Sequence, residues 1–403
     1  MTVAPALLAA NAAAAAEQQL IAASPRSRLL ARENGAGGYR LEFERQSAYE
    51  VLQTPGHVFD LADATLADAL EGRRVFAVID RRVDAVYGTA LRAYAATSLD
   101  CAGIHPLHAA EATKSLATVE ELCAAAHAAG LPRDGVLLGI GGGVTLDQVG
   151  LAAALYRRGV RYARVPTTLV GIVDVAVGIK QAVNAEGRKS LLGAFYPAYV
   201  NVNDVSFLAS LPEPAIACGL AEIAKMALIR DARLFELLEA DGAELLASRF
   251  QEHPSAREVI ARAQVTMLDE LRDNLYEDDH ARAVDFGHTF SPLLEVRTGY
   301  ALAHGEAVAI DMMLSTAIAV ELELCDAALL PRLGALLRSV ALPLAHEALD
   351  RDLALDAVAS ARAHRDGALN LVVPREIGAV TFVQDADGAL LDAAFARVRA
   401  AAV

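Results

Sequence analysis

The chain changes its hydrophobic rhythm once, near residue 206, and that change restricts the folds open to it. Between about 74 and 205, short β-rich runs alternate with helical patterns. Val75-Phe76-Ala77-Val78-Ile79 reads as a strand ending at Asp80, and 135–140 as a second strand, followed by glycines and a helix through Tyr156. Residues 162–165 and 199–202 are further strand candidates. Strand, glycine turn and helix in alternation predict a doubly wound α/β domain. After 206 the apolar residues recur at helical spacing, with almost no β signal until 369–373. The expected fold is therefore a Rossmann-like α/β domain over 46–205 and an all-α domain over 206–403, with the ligand site in the cleft between them. Residues 1–45 read as an alanine-rich, poorly specified and partly helical extension with a break at Gly35-Ala36-Gly37-Gly38.

A length of 403 residues is enough for two cores. No apolar run reaches the roughly 18–20 uninterrupted residues of a membrane helix. No Lys or Arg precedes the apolar N-terminal stretch, as a secretory leader would require. Cys101, Cys123, Cys218 and Cys325 have no metal-ligand spacing, so reduced and mostly buried thiols in a cytoplasmic protein are expected. A formal charge of −15 argues against a nucleic-acid partner. It also makes one stretch stand out: Leu155 to Arg230 holds nine Lys/Arg against five Asp/Glu, a local excess of four positive charges. An anionic small molecule would bind there.

Three groups of residues carry candidate chemistry. Gly139-Ile140-Gly141-Gly142-Gly143 joins a strand to a helix, where glycine lets the backbone approach a diphosphate and the helix N-terminus meets its charge. The spacing is not GxGxxG, and a purely structural turn is the competing reading. Asp147 falls in the same helix, where it could simply favour the helix dipole. Next come Thr167, Thr168, Asp174, Lys180, Asn184, Arg188, Lys189 and Ser190, polar groups in a segment too apolar to be a solvated loop. Lysines and hydroxyls at that density suit phosphate and sugar hydroxyls. Finally, Glu222 and Lys225 share one helix face, and His288 and His304 sit in glycine-containing polar motifs. One carboxylate and two imidazoles would leave zinc an open position, although a lone histidine is more often a packed core residue.

In order along the chain, Gly141-Gly142-Gly143-Val144 with Asp147, Arg157-Arg158-Gly159, Val165-Pro166-Thr167-Thr168-Leu169, Asp174 through Asn184, Gly219-Leu220-Ala221-Glu222, Asp285-Phe286-Gly287-His288-Thr289-Phe290 and His304-Gly305-Glu306 resemble the sugar-phosphate cyclases of the dehydroquinate synthase type. The resemblance spans about Phe76 to Pro374. It implies that Glu222, His288 and His304 hold Zn²⁺ or Co²⁺. It implies NAD binding by Gly141, Gly142, Gly143, Asp147, Thr167 and Thr168, with Asp80, Glu111 and Lys114 from the first half. Asp174, Lys180, Lys189 and Lys225 match catalytic positions, and Asn184 a substrate contact. Arg158 matches an arginine that reaches a neighbouring subunit's phosphate site, which implies a homodimer.

The departures from the dehydroquinate synthase pattern bear on the substrate. Its second motif histidine is Pro292 here, its substrate lysine is Met267, and its asparagine before Phe-Gly-His is Asp285. An expected arginine is Ala281, with Arg282 one place off, and a C-terminal lysine pair corresponds to His364-Arg365. Fewer cations imply a substrate with fewer negative charges, because an unpaired buried cation is costly. This pattern looks like the 2-epi-5-epi-valiolone synthases, which would take sedoheptulose 7-phosphate with its single phosphate. Competing readings are a sister cyclase giving 2-epi-valiolone, a 3-dehydroquinate synthase, a metal-dependent polyol dehydrogenase that consumes NAD, and a binding protein without chemistry.

Overall fold

The computed structural model describes residues 27–31, 39–43, 47–363 and 367–402. The chain divides into two units, Met1–Ala48 and Tyr49–Val403. In the first, Ser27–Ala31 (β1) pairs antiparallel with Tyr39–Phe43 (β2), a hairpin that the alanine-rich reading gives no reason to expect. The stretch 1–23 and the glycine break at 35–38 lie outside the described residues, as do His364 and Arg365.

The second unit opens with Glu50–Gln53 (β3) and the short helix Thr65–Ala69 (α1). Arg74–Asp80 (β4), Arg81–Ser98 (α2), Asp100–Leu107 (β5), Leu116–Ala128 (α3), Val136–Gly141 (β6), Gly143–Leu155 (α4) and Arg161–Pro166 (β7) then alternate. Lys180–Ala185 (β8) and Arg188–Phe195 (β9) form an antiparallel hairpin, and Val200–Asn203 (β10) returns to the sheet. The six-stranded sheet has the order β3-β10-β7-β6-β4-β5, and every pairing in it is parallel. β6 is buried along its whole length, as a parallel strand covered on two faces must be. The chain runs from β4 outward to β5, then crosses back to β6 and on toward β3. The reversal opens a crevice at the carboxyl ends of β4 and β6, the general ligand position of such sheets.

The remainder is helical: Glu213–Arg230 (α5), Ala232–Ser248 (α6), Ala256–Arg272 (α7), Ser291–Arg297 (α8), His304–Glu321 (α9), Leu329–Ser339 (α10), Arg351–Ala363 (α11) and Gly388–Ala402 (α12), with one hairpin of Leu371–Glu376 (β11) and Ala379–Val383 (β12). The expected fold class, a parallel α/β domain followed by a helical one, is the one observed. The proposed division at 205/206 lies between β10 and the first of these helices.

α5 and α9 have apolar residues on all sides and are buried almost throughout, so they form the centre of the helical layer. A Cβ on Gly305 would come within 2.3 Å of the Cys218 Cα. Only glycine lets the start of α9 abut α5 there, and the contact sets His304 beside Glu222, one turn along from Cys218. Among the described residues no helix is long and apolar enough to cross a membrane. The four thiols are free and half-buried, less enclosed than the sequence suggests.

Candidate metal centre and substrate cavity

Glu222, His288 and His304 come together as the sequence predicts: their ligand atoms all lie within 4.8 Å of one another. Glu222 is buried on α5, and its Oε1 is 3.1 Å from His304 Nε2 and 3.7 Å from His288 Nε2. What aims the rings is visible behind them. His288 Nδ1 lies 3.1 Å from the Phe286 carbonyl oxygen, and His304 Nδ1 lies 2.9 Å from Glu295 Oε1. An acceptor on each Nδ1 makes it a protonated nitrogen and leaves Nε2 as the ligating atom, a metal displacing the proton that His304 Nε2 donates to Glu222 in the metal-free protein. This donor set, with its second layer in place, fits a zinc-like ion with an open coordination position.

The charges are arranged for the same purpose. Burial opposes charge on Glu222, but Lys225 and the two imidazoles outweigh it and hold its carboxyl well below the usual carboxylate range. Burial, helped by the nearby Lys225 ammonium, pushes His288 down to about 3, so it stays a neutral ligand. Burial and Lys189 also oppose protonation of His304, yet its hydrogen bonds to Glu222 and Glu295 raise it to about 9 in the metal-free protein. Lys225 Nζ is 2.6 Å from Glu222 Oε2, and both side chains are almost fully enclosed.

Asp147, Asp174, Lys180, Lys225, Met267, Asp285 and His288 line one cavity of about 410 Å³. Burial raises the Asp174 carboxyl above its ordinary range, ahead of the lowering influence of Lys225. Lys180 Nζ lies 3.0 Å from Glu277. One wall is apolar, made by Met267, Leu271, Leu275 and Val284. Arg282 does not act as a free cation here: it pairs with Glu277, and its Nε donates to Asp285 Oδ2 at 3.1 Å. Pro292 and Asn184 are not part of the lining. Pro292 sits in the first turn of α8, where its missing N–H costs nothing. Asn184 instead donates to Glu111 Oε1 at 3.0 Å and accepts from Ser190 N at 2.8 Å. Lys189 also lies outside the lining, with its Nζ 2.5 Å from Glu295 Oε2 and 3.3 Å from His304 Nδ1. Arg158 is exposed in the turn after α4, with a left-handed φ of 66°.

The cofactor candidates gather at the carboxyl ends of the central strands. Asp80 ends β4 and accepts from Arg82 N at 2.7 Å. Lys114, in the turn begun by Glu111, is buried against Asp147 at 2.5 Å. A Cβ on Gly142 would come within 2.9 Å of Thr168 Cγ2, so the turn between β6 and α4 is a cradle that a larger residue would fill. The Thr167 and Thr145 hydroxyls are buried there without hydrogen-bond partners among the described residues. Free buried hydroxyls and a helix N-terminus beside a cradle of bare backbone fit a nicotinamide dinucleotide.

Sequence reasoning missed Glu295. It is a single acidic residue on a two-turn helix, and only folding brings it behind His304. Two start-of-helix contacts explain its position: Asp311 Oδ2 accepts from Phe290 N at 2.5 Å and from Ser291 N at 2.9 Å, and so pins α8 to α9.

Fold and site together define an enzyme of the metal- and nicotinamide-dependent class. Residues 104–218 match the N-terminal family of 3-dehydroquinate synthase, and residues 219–363 match its C-terminal family. A 2-epi-5-epi-valiolone synthase from Streptomyces glaucescens is 46% identical over 352 residues, covering 87% of this chain and 90% of that protein. A 3-dehydroquinate synthase from Rhodospirillum rubrum is 36% identical over 358 residues, covering 85% and 90%. Among solved structures, ValA, a 2-epi-5-epi-valiolone synthase from Streptomyces hygroscopicus subsp. jinggangensis 5008 with NAD⁺ and Zn²⁺ bound, superposes with a TM-score of 0.86 at 40% identity, covering 90% of this chain and 99% of that one. The chain belongs to the sugar-phosphate cyclases of the dehydroquinate synthase type.

Proposed function

We propose that this chain converts sedoheptulose 7-phosphate to 2-epi-5-epi-valiolone with loss of phosphate, using NAD and a divalent metal held by Glu222, His288 and His304. The observation that carries the choice of substrate is the cavity wall. Met267, Leu271, Leu275 and Val284 are apolar, and the neighbouring Arg282 charge is taken up by Glu277 and Asp285. That wall suits a neutral hydroxymethyl end of a ketose and leaves a carboxylate without a cation, an arrangement that costs several kcal/mol when buried. The identity to 2-epi-5-epi-valiolone synthases, above that to the 3-dehydroquinate synthase, supports the same reading.

When bound, the metal supplies Lewis acidity at a secondary alcohol, and NAD takes and returns a hydride. The chain's own residues do the rest. Lys225, fixed by Glu222, presents an enclosed ammonium to the oxygen that gains charge, where a preset cation is worth more than in water. Asp174, whose carboxyl holds its proton more tightly than usual, bonds a ring hydroxyl. Lys180 is assigned to the phosphate and ring hydroxyls and Met267 with Asp285 to the shape of the pocket, while Lys189 and Asn184, outside the lining, are assigned to its support through Glu295 and through Glu111 and Ser190. His364 and Arg365 are assigned to the substrate from the sequence resemblance, and Pro292, outside the lining, to the start of α8. Asp80, Glu111, Lys114, Gly141, Gly142, Gly143, Asp147, Thr167 and Thr168 are assigned to NAD. Arg158, exposed and without a described partner, is assigned to the phosphate site of a second copy in a cytoplasmic homodimer.

The test is incubation with sedoheptulose 7-phosphate, NAD and Zn²⁺ or Co²⁺, with phosphate release measured and the product read by NMR. Release from the shikimate-pathway substrate alone would overturn the assignment, a 2-epi-valiolone product would move it to the sister cyclase, and steady NADH accumulation would move it to a dehydrogenase. A monomer by sedimentation would remove the role given to Arg158.

A further inference from the structure

Arg164 is the largest fully buried side chain among the described residues, on β7 beneath the single π turn Gly171–Val175 that carries Asp174. Among those residues it has no carboxylate at ion-pair distance, and its Nε and Nη2 have no hydrogen-bond partner. A buried guanidinium left so incompletely satisfied is costly. What it does make is specific: Nη1 donates to the Val175 carbonyl at 2.7 Å and to the Gly178 carbonyl at 2.9 Å. Its plane lies over the Tyr162 ring, with Cζ 5.0 Å from the centroid.

Those two carbonyls have a reason to need a cation. Within the turn, the Asp174 carbonyl already accepts from Val177 N and Gly178 N, both at 3.0 Å, and Gly171 O accepts from Ala176 N at 2.8 Å. The carbonyls beyond are the unpaired, partly negative end of a helical turn, and a cation there is favourable. Two neighbours complete the grip: Tyr49 Oη donates to Val177 O at 2.9 Å and Gln264 Nε2 donates to Ile172 O at 2.9 Å. The other side of this same strip, Asp174, Val175, Gly178, Ile179 and Lys180, lines the substrate cavity. So the strip is held from behind by three side chains from separate parts of the fold while its front faces the substrate.

We propose that Arg164 is a positioning residue for the reaction, setting Asp174 and Lys180 through the Val175 and Gly178 carbonyls rather than touching substrate. The role of Asp174 in catalysis rests on the function proposed above; the grip on the strip does not. A displacement of about 1 Å at a reacting geometry can cost on the order of 100-fold in rate. Arg164→Met keeps the bulk, removes the poorly satisfied charge and releases both carbonyls.

The expected result is a fall in kcat of roughly 10- to 100-fold, with Co²⁺ affinity and melting temperature close to those of the parent. Amide exchange over 172–180 should be faster in the substrate-free protein, and Arg164→Lys should recover part of both the rate and the protection. A kcat and exchange pattern in Arg164→Met equal to the parent would overturn the proposal. So would a rate loss without any change in exchange over that strip, or one that Arg164→Lys leaves unrecovered. Should Arg164→Met fail to fold, Arg164→Lys alone decides, with intermediate kcat and exchange expected and parent-like values overturning it. If the parent itself does not turn over sedoheptulose 7-phosphate, the substrate assignment fails, while the exchange comparison still tests the grip.

Discussion

Glu295→Gln isolates what holds His304 in place. The Glu295 carboxylate is 4% exposed and faces two donors, His304 Nδ1 at 2.9 Å and Lys189 Nζ at 2.5 Å. Burial disfavours its charge, but the His304 hydrogen bond and Lys189 outweigh that and bring its carboxyl down to about 2 from 4.5. At about 1.4 kcal/mol per pKa unit, that depression corresponds to about 3 kcal/mol favouring the charged form. Because the folded value is the lower one, this stability is fully present above pH 4.5 and fades only as pH falls toward 2. At pH 7.5 the amide should therefore lose up to about 3 kcal/mol of stability in the metal-free protein, less whatever its oxygen recovers as an acceptor for His304. The same change removes the carboxylate that orients and enriches a ligand imidazole, a loss of roughly 10- to 100-fold in metal affinity. Competition with a chromophoric chelator for Co²⁺ and Zn²⁺ measures the second quantity, and urea unfolding of the metal-free protein the first. A metal Kd within twofold of the parent would refute the reasoning, whatever the stability shows.

His288→Ala should abolish metal binding and turnover while the α/β layer stays folded, because His288 sits in a loop over α9 and contributes no strand or helix to the sheet; retained activity would show the ligand set to be wrong. Asp311 gives a pH signature: burial raises its carboxyl from 3.8 to about 6, so the folded state binds the proton more tightly and stability rises as pH falls through 6 toward 4. Relative to Asp311→Asn, the parent should gain about 1 kcal/mol between pH 7 and pH 5 in urea titrations, and equal pH slopes for the two proteins would exclude the effect.

The metal ligands were legible because each sits in a motif with its own structural demand. Gly219 and Gly305 mark where backbones close on one another: a Cβ on Gly219 would fall 2.4 Å from Leu169 Cβ, as one on Gly305 would strike Cys218. Glycine at such places is a local mark of a long-range contact, while the grouping of residues 82 positions apart came from the resemblance to the sugar-phosphate cyclases. The strands missed by pattern were β1, β2, β3, β5, the β8–β9 hairpin and β12. β9 is mostly exposed and β5 mostly half-buried, so neither carries the continuous apolar run that announces a central parallel strand. Arg282 stands one place from an expected arginine, and Lys189 is expected from the sequence to serve the substrate. Folding gives each a carboxylate, Glu277 with Asp285 and Glu295, and so changes what they can offer.

By itself the sequence determined the two-part architecture and the glycine turn at a strand-to-helix junction, and its resemblance to the sugar-phosphate cyclases pointed to the three candidate metal ligands. Periodicity, glycine placement and residue chemistry are properties of short stretches, and they survive without coordinates. Only the tertiary structure decided which groups stand behind those ligands. Glu295 behind His304, Asp311 at the start of α8 and Arg164 beneath the Asp174 turn are each one ordinary polar residue in the chain. Their meaning comes from a partner on another element, and electrostatics in a buried site depends on distances of a few ångströms that no spacing along the chain records.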